Sequence, residues 1–414
     1  MQPNRPEILS PAGDFTALQA ALDAGADAVY FGLERFNMRA RSSVNFRRDD
    51  LPEIARRCGE RGVKRYLALN TIAFEDELAA ADELIAAAKP HVDAFIVSDW
   101  GVIGLCRKHG VKFHCSTQMS TSNSAAVRFL AEQGASRVVL ARECTLPEVE
   151  RIVRDGGLEI ECFVHGAQCV AESGRCFMSH EAFGASACRG ECHQPCRRAF
   201  LVKAVDFFAD DEGRPIHESN TAFTVTPHTV LSAKDLCSLP FVDRLMAAGV
   251  ASFKIEGRAR NPEYVKTVTA AYRRAVDAVA AGTYTPALAA ALVEEVKKVF
   301  HRELSCGLYF GRPGADQVTD VQNSSATQVK LHAGVVADYF LKAGIAQVTI
   351  QDQPLAVGDR VQIHGPTTGV QETAITSLRR DEEILVRAER GTWATFPAPR
   401  CRVGDKVFVV RARG

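Results

Sequence analysis

No charge of either sign predominates in this 414-residue chain: 50 Lys and Arg balance 50 Asp and Glu. A polyanion or an anionic membrane would feel no global pull toward it, so any nucleic-acid contact must come from a local patch. No stretch approaches the ~18 uninterrupted apolar residues of a spanning helix. The opening MQPNRPEILSPAGDF lacks a cationic segment followed by an apolar run. The expectation is a cytoplasmic protein with no membrane partner. Internal repeats are missing, as are an HExxH helix, a G-x-S-x-G elbow and a C-x2-C knuckle. Their absence removes the usual signatures of zinc peptidases, serine hydrolases and structural zinc sites. Composition is otherwise ordinary for a globular chain, with 46% hydrophobic and 24% charged residues, enough to bury a sizeable core.

The N-terminal two thirds alternate short apolar runs with helix-period segments, the pattern of βαβ units and a parallel sheet. PEILSPAG reads as a strand and turn, DFTALQAALDAG as an amphipathic helix closed by Gly25, and DAVYFG as the next strand. VKRYLALNT, VDAFIVSD, VKFHCSTQM, SRVVLAR and LEIECFVHG continue the series, so seven strands precede residue 167. SAKDLCSLPFVDRLMAAG then reads as a helix and ASFKIEG as the eighth strand. Eight parallel strands with outer helices define a TIM-like (β/α)8 barrel, with an open sheet as the alternative. Two further helices, NPEYVKTVTAAYRRAVDAVAAG and TPALAAALVEEVKKVFHREL, are expected over the barrel or its bottom. The domain reading is a barrel over 1–310 with a cysteine-rich insertion at 165–240, a linker at 311–328 and a small antiparallel β-barrel at 329–414. From Lys330 to Gly414 there are 12 Lys or Arg against 9 Asp or Glu, a modest surplus that suits either an RNA-contacting module or a passive cap.

Thirteen cysteines in a chain of this size argue against a disulfide scaffold, which belongs to short secreted domains, and the isolated Cys58, Cys106, Cys115, Cys306 and Cys401 read as small buried hydrophobes. Cys169, Cys176, Cys188, Cys192 and Cys196 fall within 28 residues, with Cys237 further on. Thiolates converging from loosely spaced loops suit an iron–sulfur cluster better than a single tetrahedral ion. Zinc and metal-free redox thiols, the latter with pKa values lowered by Arg175, Arg189, Arg197 and Arg198, stay open on spacing alone.

The runs EILSPAGDFTALQAALDAGADAVYFG, FNMRA, STQMSTSNSAAVRFL, RVVLAREC, CFVHGAQCVAESGRC, GECHQPCR and FKIEGR span roughly residues 7 to 310. Together they resemble the collagenase-like peptidase family of unknown catalytic type. Within it, one barrel plus a small β-barrel is similar to the plan of the prephenate-dependent tRNA hydroxylation proteins, which help place a hydroxyl on carbon 5 of the wobble uridine. Other relatives hydroxylate a cytidine of ribosomal RNA or, as a pair of subunits, the ring of a quinone precursor without molecular oxygen. The resemblance implies an O2-independent RNA hydroxylase with a [4Fe-4S] cluster, prephenate as a small anionic co-substrate, tRNA or another RNA as partner, and room for a partner subunit. It also implies Cys169, Cys176, Cys192 and Cys237 as the cluster ligands, with Cys196 competing for one place. Cys188 lies where the family usually has no cysteine.

Such a reaction needs cations for carboxylates, a group for proton transfer and room for a flipped base. Barrels of this kind carry their chemistry at the C-terminal ends of the strands. Arg142, Glu143 and His165 are therefore the catalytic candidates: Arg142 to grip a carboxylate, His165 to carry a proton or support the cluster. Arg39, Arg41, Asn70, Gln118, Lys254, Glu256 and Arg258 are the substrate-binding candidates, and Ser98 and Asp99 should share the same face. An ion pair is the plain alternative for each arginine, and a satisfied core position for His165. A peptidase using a cysteine paired with His165, or a non-catalytic cluster-binding accessory, are the competing functional readings.

Overall fold

The computed structural model describes residues 5–40, 45–198, 212, 231–311, 317–321 and 323–413. Within these, the seven strands expected before the cysteine-rich segment are β1 (Glu7–Pro11), β2 (Ala28–Phe31), β3 (Lys64–Leu69), β4 (Ala94–Val97), β5 (Phe113–Cys115), β6 (Arg137–Val139) and β7 (Glu159–Gly166). Two short strands follow, β8 (Asp235–Cys237) and β9 (Ser252–Ile255), and then β10 (Leu304–Ser305). Strands β1 to β7 pair in order and in parallel, and β9 pairs in parallel with both β7 and β1. That double pairing closes an eight-stranded parallel barrel and excludes the open sheet. AVYF and AFIV, wholly buried in β2 and β4, show the continuous apolar texture of strands covered on both faces.

The helices α1 (Phe15–Asp23), α2 (Leu51–Gly59), α3 (Leu78–Ala88), α4 (Trp100–Lys108), α5 (Ser124–Glu132), α6 (Leu146–Gly156), α7 (Met178–Phe183), α8 (Val242–Ala247), α9 (Pro262–Ala280) and α10 (Pro286–Val296) complete the barrel region. Their starts follow capping chemistry. Asp14, Asp99 and Asn123 accept hydrogen bonds from the first free N–H groups of α1, α4 and α5, and Thr145 with Glu148 forms a capping box on α6. Helix α9 packs between α8 and α1 in the outer ring and α10 lies against α9, so both help cover the barrel.

SAKDLC departs from the sequence reading. It forms the extended β8, antiparallel to the end of β7 with Cys237 opposite His165, and helix is limited to Val242–Ala247. Pro240 prevents one continuous helix, because a mid-helix proline removes a donor and clashes with the preceding turn. The backbone of β7 beyond the barrel offers β8 a ready ladder instead.

From Gln328 onward the chain builds an eight-stranded antiparallel sheet and a two-stranded one around a separate core that includes Val336, Val348, Ile363, Phe396 and Val409. This unit rests on α1 and α9. Lys330 pairs with Glu263 at 2.7 Å, and Gly369 sits directly against Gln19, Ala20 and Asp23. Residues 312–316 and 322, inside the expected linker, lie outside the described residues. No helix among the described residues is long and apolar enough to cross a membrane.

The barrel interior is unusual in holding charge. Arg137 Nη1 donates to Glu7 at 2.6 Å and to Glu161 at 3.2 Å, and Lys254 Nζ donates to the other Glu161 oxygen at 2.7 Å. Tyr66 OH adds a bond to Glu7 at 2.8 Å. Burial pushes the Glu161 carboxyl up, and Lys254 and Arg137 outweigh it, holding the group below the ordinary value. Removing one partner of such a pair leaves a buried charge without a counterpart, which typically costs ~3–5 kcal/mol. Glu161→Ala should therefore lower stability by about that amount, read as a drop in the urea midpoint at pH 7, and an unchanged midpoint would show that the pair contributes nothing.

Candidate functional site

The C-terminal ends of the strands open into a cavity of about 1100 Å³, including its mouth. Its floor is Tyr30 from β2, Asn70 after β3, Ser116 and Gln118 after β5, Phe163 on β7, and Lys254, Glu256 and Arg258 on and beyond β9. Arg39 and Arg142 reach in from the loops after β2 and β6. The roof comes from the cysteine-rich segment and carries Cys169, Cys176, Cys192 and Cys196.

Gly166 makes the turn from floor to roof possible. Its φ of +103° is a region side chains rarely adopt, and a Cβ there would stand 2.5 Å from the Glu256 carbonyl oxygen. Glu143 then buckles the roof: its two oxygens accept from Ser173 N–H at 2.9 Å and Ser173 Oγ at 3.1 Å, between Cys169 and Cys176. Arg197 fastens the far end by donating to the Gln168 and Ala233 carbonyls and to Ser232 Oγ. Arg189 clamps Glu77 with two bonds of 2.6 and 2.7 Å.

Glu256 organises the floor. Its carboxylate lies 3.4 Å from Arg39 Nη2 and 3.6 Å from Arg142 Nη2, and Arg142 also stacks over Phe163 at 3.8 Å. Burial pushes the Glu256 carboxyl up, while Arg39, Arg142, Arg258 and Lys254 hold it below the usual carboxylate value. Arg258 donates to Asn37 Oδ1 at 3.0 Å, and Lys254 Nζ sits 4.7 Å over the Tyr30 ring. Among the described lining residues, Arg39, Arg142, Arg197, Lys254, Arg258 and Arg302 are cationic and Glu256 alone is a carboxylate. A cavity so charged favours anions.

The thiols respond to one another. Burial pushes the Cys169 thiol up, the Ala171 N–H at 3.4 Å opposes this, and Cys176 and Cys192 raise it again. Cys196 is likewise pushed up by burial, opposed by Arg197 and raised by Cys169, Cys192 and Cys176. Cys169, Cys176, Cys192 and Cys196 thus bring four sulfurs to one cavity, a donor set that suits a polycationic centre. No three described His, Cys, Asp or Glu side chains are grouped tightly enough for a single metal ion. A cluster takes its thiolates one at each of several corners and so does not need three donors around a single ion.

Several expected residues stand elsewhere. Cys237 is buried outside the lining, with its thiol pushed up to about 11 by burial and no cavity cysteine among its influences. Cys188 lines a neighbouring cavity. His165 does not line the cavity either. It is 2% exposed, its ring stands 5.6 Å from Tyr272 and 6.0 Å from Tyr264, and burial pushes it down to about 3. That is the satisfied core histidine rather than a proton carrier. Glu143 shapes the roof without reaching the cavity, and Asp99 serves as a helix cap. Arg41 lies outside the described residues. Sequence reasoning passed over Tyr30, Phe163 and Arg302. Arg302, pulled down to about 10 by burial with Asp235 at 3.6 Å, comes from the segment after α10, where the only signal is a His–Arg pair closing an apolar helix.

A closed (β/α)8 barrel with a cationic, thiol-roofed cavity at its catalytic face is the architecture of an enzyme of the TIM-barrel class. The chain belongs to Peptidase family U32, whose profile matches residues 13–319. A collagenase of Porphyromonas gingivalis is 38% identical over 99% of this chain and 98% of its own length. The tRNA hydroxylation protein P1 of Bacillus subtilis is 32% identical over 87% of this chain and 84% of its own. The 23S rRNA 5-hydroxycytidine synthase of Escherichia coli is 37% identical over 72% of this chain and 44% of its own.

The buried His165 sets a pH dependence. Its folded pKa is depressed to about 3 from an unfolded value near 6.5, so the unfolded chain binds the extra proton between those values. Its stabilising contribution is complete above pH ~6.5 and is lost as pH falls, by ~1.4 kcal/mol per unit. Unfolding free energy should drop by about 2 kcal/mol from pH 6.5 to 5 on account of this group, and His165→Gln should flatten that part of the curve. Parallel curves for the two proteins would contradict the assignment.

Proposed function

We propose that this chain is a cytoplasmic RNA-modifying hydroxylase that adds a hydroxyl to carbon 5 of the tRNA wobble uridine, independently of O2, with a [4Fe-4S] cluster and a dianionic co-substrate of the prephenate kind. The observation that carries the reading is the cavity itself: four thiols, six cations and a single carboxylate line one space at the mouth of the barrel. Relatives named for tRNA and rRNA hydroxylation give it its substrate class.

A cluster of this type supplies one-electron chemistry. Cys169, Cys176 and Cys192 would hold three corners. The geometry supports Cys196 for the fourth, because it lines the same cavity and Cys237 does not. The Arg39–Glu256–Arg142 triad offers two guanidiniums that can exchange a protein carboxylate for one on the co-substrate, a bidentate recognition lysine would not match. Asn70 and Gln118, joined at 3.2 Å, present amide groups suited to the hydrogen-bonding edge of an extruded base. Lys254, held by Glu161, adds a fixed positive charge beneath.

The collagenase relative favours a second reading, proteolysis. A cysteine peptidase needs a thiol within hydrogen-bond reach of a base. Among the described residues no histidine hydrogen-bonds a cavity thiol, and His165 lies outside the cavity. Gelatin cleavage by iron-free protein would restore that reading.

Two measurements test the proposal. Nucleoside mass analysis of bulk tRNA and rRNA should show one hydroxylated pyrimidine missing when the gene is deleted and restored by the wild-type chain, and unchanged nucleosides would refute it. Anaerobically purified protein should be brown and contain iron. Cys196→Ser should lose most of that iron while Cys237→Ser keeps it, and the reverse pattern would move the fourth corner to Cys237.

A further inference from the structure

A second cavity, of about 700 Å³, opens beside the thiol-lined one, and the two share Met38, Asn70 and Gln118 as a common wall. Its own lining includes Ile72, Trp100, Met119 and Arg175. Trp100 is the first residue of α4, and Asp99 pins that helix start by accepting from the Gly101 and Val102 N–H groups. The indole is thereby held at the mouth, 55% exposed, with the half-exposed Phe129 ring 6.1 Å away. Ile72 and Phe74 are also about half exposed. Such a grouping of large apolar side chains on a surface usually marks a binding site.

Arg175 gives the cavity its charge. Its guanidinium donates to the Gln118 carbonyl at 2.8 Å and to Ser120 Oγ at 3.1 Å, both neutral acceptors, and no carboxylate among the described residues forms an ion pair with it. The result is a positioned cation beside a flat aromatic face and an amide-bearing wall. Unpaired nucleotides are recognised by that combination, with stacking for the base and a cation for its phosphate. Because the two cavities adjoin across Met38, Asn70 and Gln118, a base extruded into the inner chamber leaves its neighbour beside the outer one.

We propose that the outer cavity binds the unpaired nucleotide adjoining the reacting base, with its ring stacked on Trp100 and its phosphate on Arg175. This rests on the chain acting on RNA, and it names the side chains that read the flanking position. The chain has two tryptophans, Trp100 and Trp393, so in the Trp393→Phe protein the emission of Trp100 reports on this cavity alone. The probe is a synthetic tRNA anticodon stem-loop, followed in parallel by filter retention and by tryptophan emission. The expected result is saturable quenching with the same midpoint as retention. Trp100→Ala should weaken retention roughly 5- to 150-fold while Trp100→Phe keeps most of it. Retention without any change in emission overturns the outer site and leaves the RNA reading standing. No retention at all overturns both. Quenching by a second protein subunit, with the stem-loop without effect, overturns the site by assigning the surface to protein.

Discussion

Everything at the catalytic face stands on charge buried inside the barrel. Glu7, Arg137, Glu161 and Lys254 neutralise one another along a path that runs from the first residue of β1 toward the cavity floor. Each would be prohibitive alone in that interior, and together they cancel. The arrangement delivers one ammonium group, Lys254, to the underside of the cavity between the Tyr30 and Phe163 rings. Its position follows from four strands holding register, so the floor of the site is as rigid as the sheet.

Above that floor the construction is different in kind. The roof is built of short 3-10 turns and one brief helix, and individual tethers hold it: Glu143 to Ser173, Arg197 to Gln168 and Ala233, Arg189 to Glu77. The strand ends supply most of the cations and the roof supplies all four cavity thiols. Positive potential from one layer and sulfur donors from the other meet only because the chain folds back over the barrel mouth. Neither layer alone defines the chemistry.

Much of this was readable before any coordinates. Buried parallel strands such as AVYF and AFIV announce themselves by unbroken apolar runs, and their helices by caps such as Asp14 and the Thr145–Glu148 pair. The barrel followed from counting them. Strand-end logic also brought Arg39, Asn70, Gln118, Arg142, Lys254, Glu256 and Arg258 to one cavity. It failed where burial depends on a register of one or two residues. His165 ends a strand like the others, yet it turns into a sleeve of two tyrosines. SAKDLC carries no local signal for its extended form, because the partner that makes it a strand is some 70 residues earlier in β7. Cys196 lines the cavity and Cys237 is buried on β8 outside it, a distinction spacing does not contain. Arg302 was invisible for a similar reason: it arrives from beyond the barrel.

The pinch at Gly166 has an evolutionary reading. Any side chain there would collide with the backbone that carries Glu256, so the point where the chain leaves the sheet is closed to variation. The described roof that follows the hinge, up to Arg198, is tethered largely by side-chain bonds. Substitutions in the roof can therefore reshape what the cavity admits, while the exit angle at Gly166 and the strand-borne cations beneath stay where the sheet puts them.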